Sequence, residues 1–173
     1  MKTAISLRWL LAAGAVLVAS AAHSDGAGNP TPSTSVDGEY FDRQGNPTYK
    51  IEKDGAVDWY TYIGYTMYGA NCLQCHGPDA LGSSYAPSLV DALKSLNTPD
   101  VKGVIIGGKK NVNSSQELVM PAFGVNRNVM CYIDAIYIYL RARSDGALGR
   151  GWPDKFTPRP ADYEKKLNSC LAG

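Results

Sequence analysis

The stretch Asn71–Asp79, NCLQCHGPD, sets two cysteines three positions apart and follows them at once with a histidine. Three chemistries use C-x-x-C-H. A structural zinc needs four ligands, almost always with a second pair at comparable spacing; the remaining cysteines, Cys131 and Cys170, stand far apart with no histidine beside them. A thioredoxin-type dithiol opens a helix after a strand in a βαβ setting, whereas here the helical pattern precedes the motif and no such strands are evident. The third is covalent haem attachment: Cys72 and Cys75 add to the haem vinyl groups, and His76 reaches the iron from the same turn of chain. The surroundings of the motif favour this third reading.

A haem iron needs a sixth ligand or stays open for chemistry. Met67, Met120 and Met130 are the candidates within the folded part. Met67 lies five residues before Cys72 on the helix entering the motif, and Met130 opens the last strong helical pattern, so both read as packing residues. Met120 sits in LVMPAFG, where Pro121 excludes helix and stiffens a loop that presents the thioether, with Phe123 able to pack near the ring. Met120 is the expected axial ligand, with Met130 and an open iron as alternatives. Thioether ligation raises the reduction potential and closes the iron to small molecules, which leaves electron transfer.

The N-terminus suits an exported protein. Lys2 and Arg8 precede an apolar run from Trp9 to Ala19, and Ser20, Ala21 and Ala22 follow. That order is a secretory signal, and the run falls well short of the roughly 20 residues that span a bilayer as a helix. Cleavage near residue 22 leaves His76 as the one histidine of the folded part and a mature protein with no membrane span. Of 17 basic residues, 15 remain against 16 acidic ones, a near balance that gives no reason to expect a nucleic-acid partner. The charges are uneven: nine acidic and three basic residues from Asp25 to Asp91, seven acidic and twelve basic thereafter. Four cysteines in an oxidising compartment, two of them taken by haem, leave Cys131 and Cys170 for a disulfide, with two buried free thiols as the alternative.

Along the chain, residues 1–22 read as signal peptide and 23–36, rich in Gly, Pro, Ser and Thr, as a flexible tether. Residues 37–57 form an N-terminal arm, a small hairpin or an extended segment in which two short aromatic or β-branched runs flank Gln44-Gly45-Asn46-Pro47; 58–146 form the main domain and 147–173 a C-terminal arm with a short helix near 161–171. Within the domain, helices are expected over Trp59–Asn71, over 98–106 with Thr98 as cap and Gly107-Gly108 as stop, and over 129–143 with Asn128 as cap. The last places Val129, Ile133, Ile136, Tyr137 and Leu140 on one stripe and Arg141 and Arg143 at its end. No strand-rich region is evident, so the expected class is all-α.

With these segments in place the chain resembles a class I c-type cytochrome over roughly residues 59–143. GYTMYGANCLQCHG carries the small residue and aromatic that precede the haem motif. YAPSL is similar to the segment whose proline carbonyl, here that of Pro87, binds Nδ1 of the proximal histidine. VKGVIIGGK looks like the middle helix, MPAF like the methionine loop and IYIYLR like the final helix. The resemblance implies three to five helices around one haem c, with His76 and Met120 on iron and the first and last helices crossing at Gly64 against Tyr139. A narrower resemblance, carried by YKIEKDGAVDWYTY and VMPAFGVNRNVMCYIDAIYIYLRARSDGALGRG, is to four-cysteine cytochromes of methanol oxidation and, more distantly, cytochrome c-L. It implies a periplasmic electron carrier, not an enzyme. Its donor would be a PQQ-dependent methanol or alcohol dehydrogenase, its acceptor another c-type cytochrome or a terminal oxidase. A haem subunit of a larger complex and an open-iron enzyme or sensor are the competing readings. Lys109, Lys110 and Arg127 are candidates for a basic rim at the haem edge, and Trp59 and Trp152 for its cover or for plain core.

Overall fold

A computed structural model describes Gly26 and residues 28–112 and 117–173; the expected signal peptide lies outside the described residues. Seven helices occur among them: α1 (Trp59–Asn71), α2 (Leu73–His76), α3 (Leu89–Ala92), α4 (Thr98–Gly107), α5 (Arg127–Met130), α6 (Ile133–Ser144) and α7 (Tyr163–Ala172). Asp58 starts α1, its carboxylate accepting from the Thr61 N–H at 3.0 Å and from the Thr61 hydroxyl at 2.5 Å. Asn97, not Thr98, caps α4 by accepting from the Asp100 N–H at 2.9 Å. The Thr98 hydroxyl instead meets the Tyr137 hydroxyl at 2.6 Å in the interior.

The core is organised by the crossing of α1 and α6. A Cβ built on Gly64 would stand 1.9 Å from the Ala135 carbonyl oxygen and 2.9 Å from the Tyr139 Cβ, so the two backbones approach as closely as only glycine permits. Around that contact Tyr68, Val129, Ile136, Tyr137, Tyr139 and Leu140 are buried together. The expected long helix over 129–143 is two helices, because the turn at Cys131–Tyr132 separates α5 from α6. Asn128 therefore lies inside α5 rather than capping a helix. Nor does α6 carry a single apolar stripe. Every residue from Ala135 to Arg143 is buried, because α3, α4 and the N-terminal arm cover the sides that α1 leaves open.

The expected all-α class is amended to mostly helical with two small antiparallel sheets. Strands β1 (Thr34–Val36), β2 (Glu39–Phe41) and β3 (Pro47–Thr48) form one, with Ser35 opposite Tyr40 and Tyr40 opposite Thr48. Strands β4 (Lys109–Val112) and β5 (Glu117–Met120) form the other, with Lys109 opposite Met120. Strands of two to four residues are held by backbone pairing and are too short to print an alternating pattern in the sequence. The first sheet also takes in the end of the segment read as a tether.

Buried ions fasten that sheet to the core. The Arg141 guanidinium donates to the Pro47 carbonyl at 2.9 Å, to Asp42 Oδ2 at 2.9 Å and to the Gly28 carbonyl at 3.3 Å. Both members of the ion pair are shut off from solvent, at 1% and 0% side-chain exposure, so loss of either would strand a charge in the interior.

Candidate haem site

Helix α1 delivers the cysteine motif directly, the Cys72 N–H closing onto the Tyr68 carbonyl at 2.8 Å and the His76 N–H onto the Cys72 carbonyl at 2.9 Å. His76 ends α2 and is 7% exposed. Its Nδ1 lies 3.0 Å from the Pro87 carbonyl oxygen. A carbonyl only accepts, so Nδ1 carries the proton and Nε2 is left with the lone pair that a metal needs. The loop that brings Pro87 there is tied to the motif by the Gly82 N–H donating to the His76 carbonyl at 2.8 Å and the Ser83 hydroxyl donating to the Cys75 carbonyl at 2.5 Å. Gly82 has φ +88°, and a Cβ there would meet Ser88 N at 2.7 Å and Pro87 C at 3.0 Å. Only glycine lets this loop fold back beneath the imidazole.

Neither competing chemistry finds its requirements. Among the described residues no three His, Cys, Asp or Glu side chains converge as a metal cluster, so a zinc site lacks its ligands. Cys72 and Cys75 are unbridged, and burial, then the neighbouring Cys75, pushes the Cys72 thiol up to about 11. A thioredoxin-type site opens a helix after a strand, whereas here helix α1 leads into the motif. Two thiols three residues apart with an imidazole whose Nε2 is free fit covalently bound haem.

The methionines separate by position. Met120 is the last residue of β5, so the expected stiff loop is a strand end followed by a turn bonded to α4. There the Phe123 N–H donates to the Ile105 carbonyl and the Gly124 N–H to the Ile106 carbonyl, both at 3.0 Å. Gly108, at φ +72°, lies beneath this turn, where a Cβ would stand 2.7 Å from the Met120 oxygen. Met120 and Phe123 pack against the same core as Cys72 and Met67. Met130 instead lines a pocket beside Cys131 and Cys170 with Glu39, Tyr60 and Tyr163. Apolar side chains stand open on the segments around the motif and Met120: Leu73, Tyr85, Ile106, Val119 and Val125. Such exposed apolar surface is what a flat hydrophobic macrocycle covers.

No family model matches the chain. The crystal structure of the c-type cytochrome XoxG from Methylobacterium extorquens AM1 superimposes with a TM-score of 0.76 and 47% identity, covering 82% of this chain and 87% of that one. Cytochrome c-555 of Methylococcus capsulatus (strain Bath) is 35% identical over 100 residues, 57% of this chain and 75% of that protein. The chain belongs to the c-type cytochromes. It is also 45% identical to cytochrome c-553I of Paracoccus denitrificans over 143 residues, 83% of this chain but 63% of that relative's length. C-type cytochromes of this kind carry covalently bound haem c and are electron-transfer proteins, not enzymes. Among the described residues of this cytochrome no helix is long and apolar enough to cross a membrane.

The remaining cysteines of the cytochrome, Cys131 and Cys170, are bonded to each other with their Cα atoms 5.8 Å apart, tying α7 to the end of α5. The Arg127 guanidinium adds to that tie, donating to the Leu171 carbonyl at 3.0 Å and the Gly173 oxygen at 2.5 Å. Arg127 thus also holds the C-terminal arm, while Lys109 and Lys110 stand exposed on β4. Sequence reasoning missed two features of the site. Asp79, with φ 59°, accepts from the Gly151 N–H at 2.8 Å and from Arg150 Nε at 3.0 Å, and Arg143 bridges the Asp79 and Leu148 carbonyls, so the C-terminal arm is bound onto the haem motif. Tyr68, buried, donates its hydroxyl to the Gly77 carbonyl at 2.5 Å just beyond His76. The signal for Asp79 was present in the tolerance of Asp for left-handed backbone beside Gly77; Tyr68 is among the aromatics of GYTMYGANCLQCHG, but its bond to Gly77 had no local sign.

Proposed function

We propose that this cytochrome is a periplasmic mono-haem electron carrier in which Cys72 and Cys75 hold the haem, His76 and Met120 bind its iron, and Pro87 orients His76. The observation that carries this reading is the contact of His76 Nδ1 with the Pro87 carbonyl, because a donating Nδ1 orients the ring and suits ligation through Nε2. Bound haem supplies a one-electron change between ferric and ferrous iron. The protein's own contribution is to hold the ring still. Tyr68 locks the Gly77 carbonyl, Gly82 lets Pro87 reach the imidazole, and the turn on α4 fixes Met120. Position supports Met120 over Met130, which faces the disulfide side of the molecule. The basic and apolar N-terminus from Lys2 to Ala22 supports export with removal of the signal.

For the partner, the four-cysteine pattern and the flanking motifs support a donor of the PQQ-dependent methanol or alcohol dehydrogenase class and an acceptor that is another c-type cytochrome or a terminal oxidase. The exposed lysines Lys109 and Lys110, beside the Met120 strand, suit an acidic partner surface. Stopped-flow reduction of the ferric protein by candidate quinoprotein dehydrogenases with methanol tests the pairing. Rapid reduction that slows with added salt is expected. Failure of methanol dehydrogenases alongside rapid reduction by another donor would discard this donor and keep the carrier.

A further inference from the structure

Four aromatic rings lead one to the next from the haem motif to the surface, and further rings join them there. At its inner end the Tyr68 hydroxyl is bonded to the Gly77 carbonyl, next to His76. The Tyr68 ring centroid lies 5.3 Å from that of Tyr139, Tyr139 lies 5.5 Å from Tyr65, and Tyr65 lies 5.2 Å from Trp152. Tyr68 and Tyr139 are each 1% exposed, whereas Trp152 is 56% exposed. Beyond Trp152 the contacts branch to Tyr62 at 5.6 Å, which stacks on Phe156 at 3.8 Å, and on to Trp59 and Tyr163. Three of the four rings of the direct path come from α1 and α6, whose close crossing at Gly64 fixes their spacing. The fourth comes from the C-terminal arm, and Asp79 holds that arm in place through Gly151, the residue before Trp152.

We propose that Tyr68, Tyr139, Tyr65 and Trp152 form a second electron path, joining the haem iron to the exposed edge of Trp152 on the C-terminal arm. It rests on the electron-carrier reading above and adds a route distinct from the face around Met120. The transfer forms and breaks no bond: one electron leaves a reagent at Trp152 and one arrives at the iron, or the reverse. No ring is oxidised or reduced, because the electron tunnels through the contacting π systems, which couple more strongly than the empty gaps that truncated side chains would leave. The rings are placing groups for this electron and hold no charge themselves. Two carrier faces would allow donor and acceptor to be served without sharing one surface.

The test uses the haem-loaded protein, in which the other cysteines are occupied by haem and the disulfide, so an introduced cysteine is labelled alone. A ruthenium–polypyridyl group is attached at Asp154→Cys, beside Trp152, and in a second protein at Val125→Cys, near Met120; flash-induced reduction of the iron is then timed. From the Asp154→Cys label, Tyr65→Leu and Trp152→Leu are expected to slow reduction several-fold, while Tyr65→Phe keeps the ring and keeps the rate. From the Val125→Cys label all three leave the rate unchanged. An unchanged rate in Tyr65→Leu from the Asp154→Cys label overturns the path. Equal slowing from both labels also overturns it, since the change then lies at the iron. Absence of reduction from either label would instead sink the carrier reading beneath it.

Discussion

Single residues set the chemistry of this cytochrome, and the decisive ones differ in how they could be read. The cysteine motif was legible because its spacing is a chemical requirement. The contact of Pro87 with His76 was legible only through the flanking motif, since a carbonyl there has no local signature. Arg141 and Arg143 were legible only as basic residues at a helix end; both are buried, at 1% and 8%, and hold the two arms. A charged residue at a helix terminus is usually solvated, so only the tertiary structure reveals their partners. At this scale Met120→Ala is expected to open the iron: the ferrous protein should bind carbon monoxide, and its reduction potential should fall. Met130→Ala should change neither, as measured by visible spectroscopy and redox titration. Loss of the cap in Asp58→Ala should cost about 0.5–2 kcal/mol in urea unfolding, because the Thr61 N–H loses its acceptor.

At the scale of elements, α1 followed its sequence closely because an uninterrupted run of helix-compatible residues begins at a good cap and ends at the motif. The stretch 127–144 did not, since the break at Cys131–Tyr132 leaves no mark in the periodicity. Of the short strands, β2 and β3 answer to the hairpin read from the runs flanking Gln44–Pro47, whereas the others are too short to display a period. The crossing of α1 on α6 tolerates no side chain at residue 64. Gly64→Ala should destabilise the protein by about 1–3 kcal/mol or more through overpacking, read as a lower urea midpoint, although alanine is the better helix former. Replacing Cys131 and Cys170 together by serine should lower stability by roughly 3–4 kcal/mol, from the loop they close. Because that bond joins α7 to the end of α5 and includes none of the residues proposed to hold the haem, the haem absorption bands should stay as they are.

For the molecule as a whole, two arms from opposite ends of the chain are pinned onto the helices by carboxylates. Burial alone would raise Asp79, but the Gly151 N–H and the Arg150 and Arg143 guanidinia outweigh it and leave its carboxyl below the usual range. Asp42 is likewise lowered, burial being outweighed by the Asn46 backbone, Arg141 and the Asn46 side chain. A carboxyl lowered on folding binds fewer protons than in the unfolded chain, so its stabilisation is complete above the ordinary carboxyl pKa and is lost as pH falls through the folded value. The urea midpoint should therefore drop between about pH 5 and pH 2, and the drop should be shallower in Asp42→Asn or Asp79→Asn. The crossing at Gly64 has one more consequence, in time rather than in space. Its two halves, α1 and α6, stand near opposite ends of the folded region, and a contact so distant along the chain is slow to close. The turn carrying Cys72, Cys75 and His76 needs only its own neighbours to form. During folding, then, the cysteine motif is free to take its turn before α6 closes onto α1.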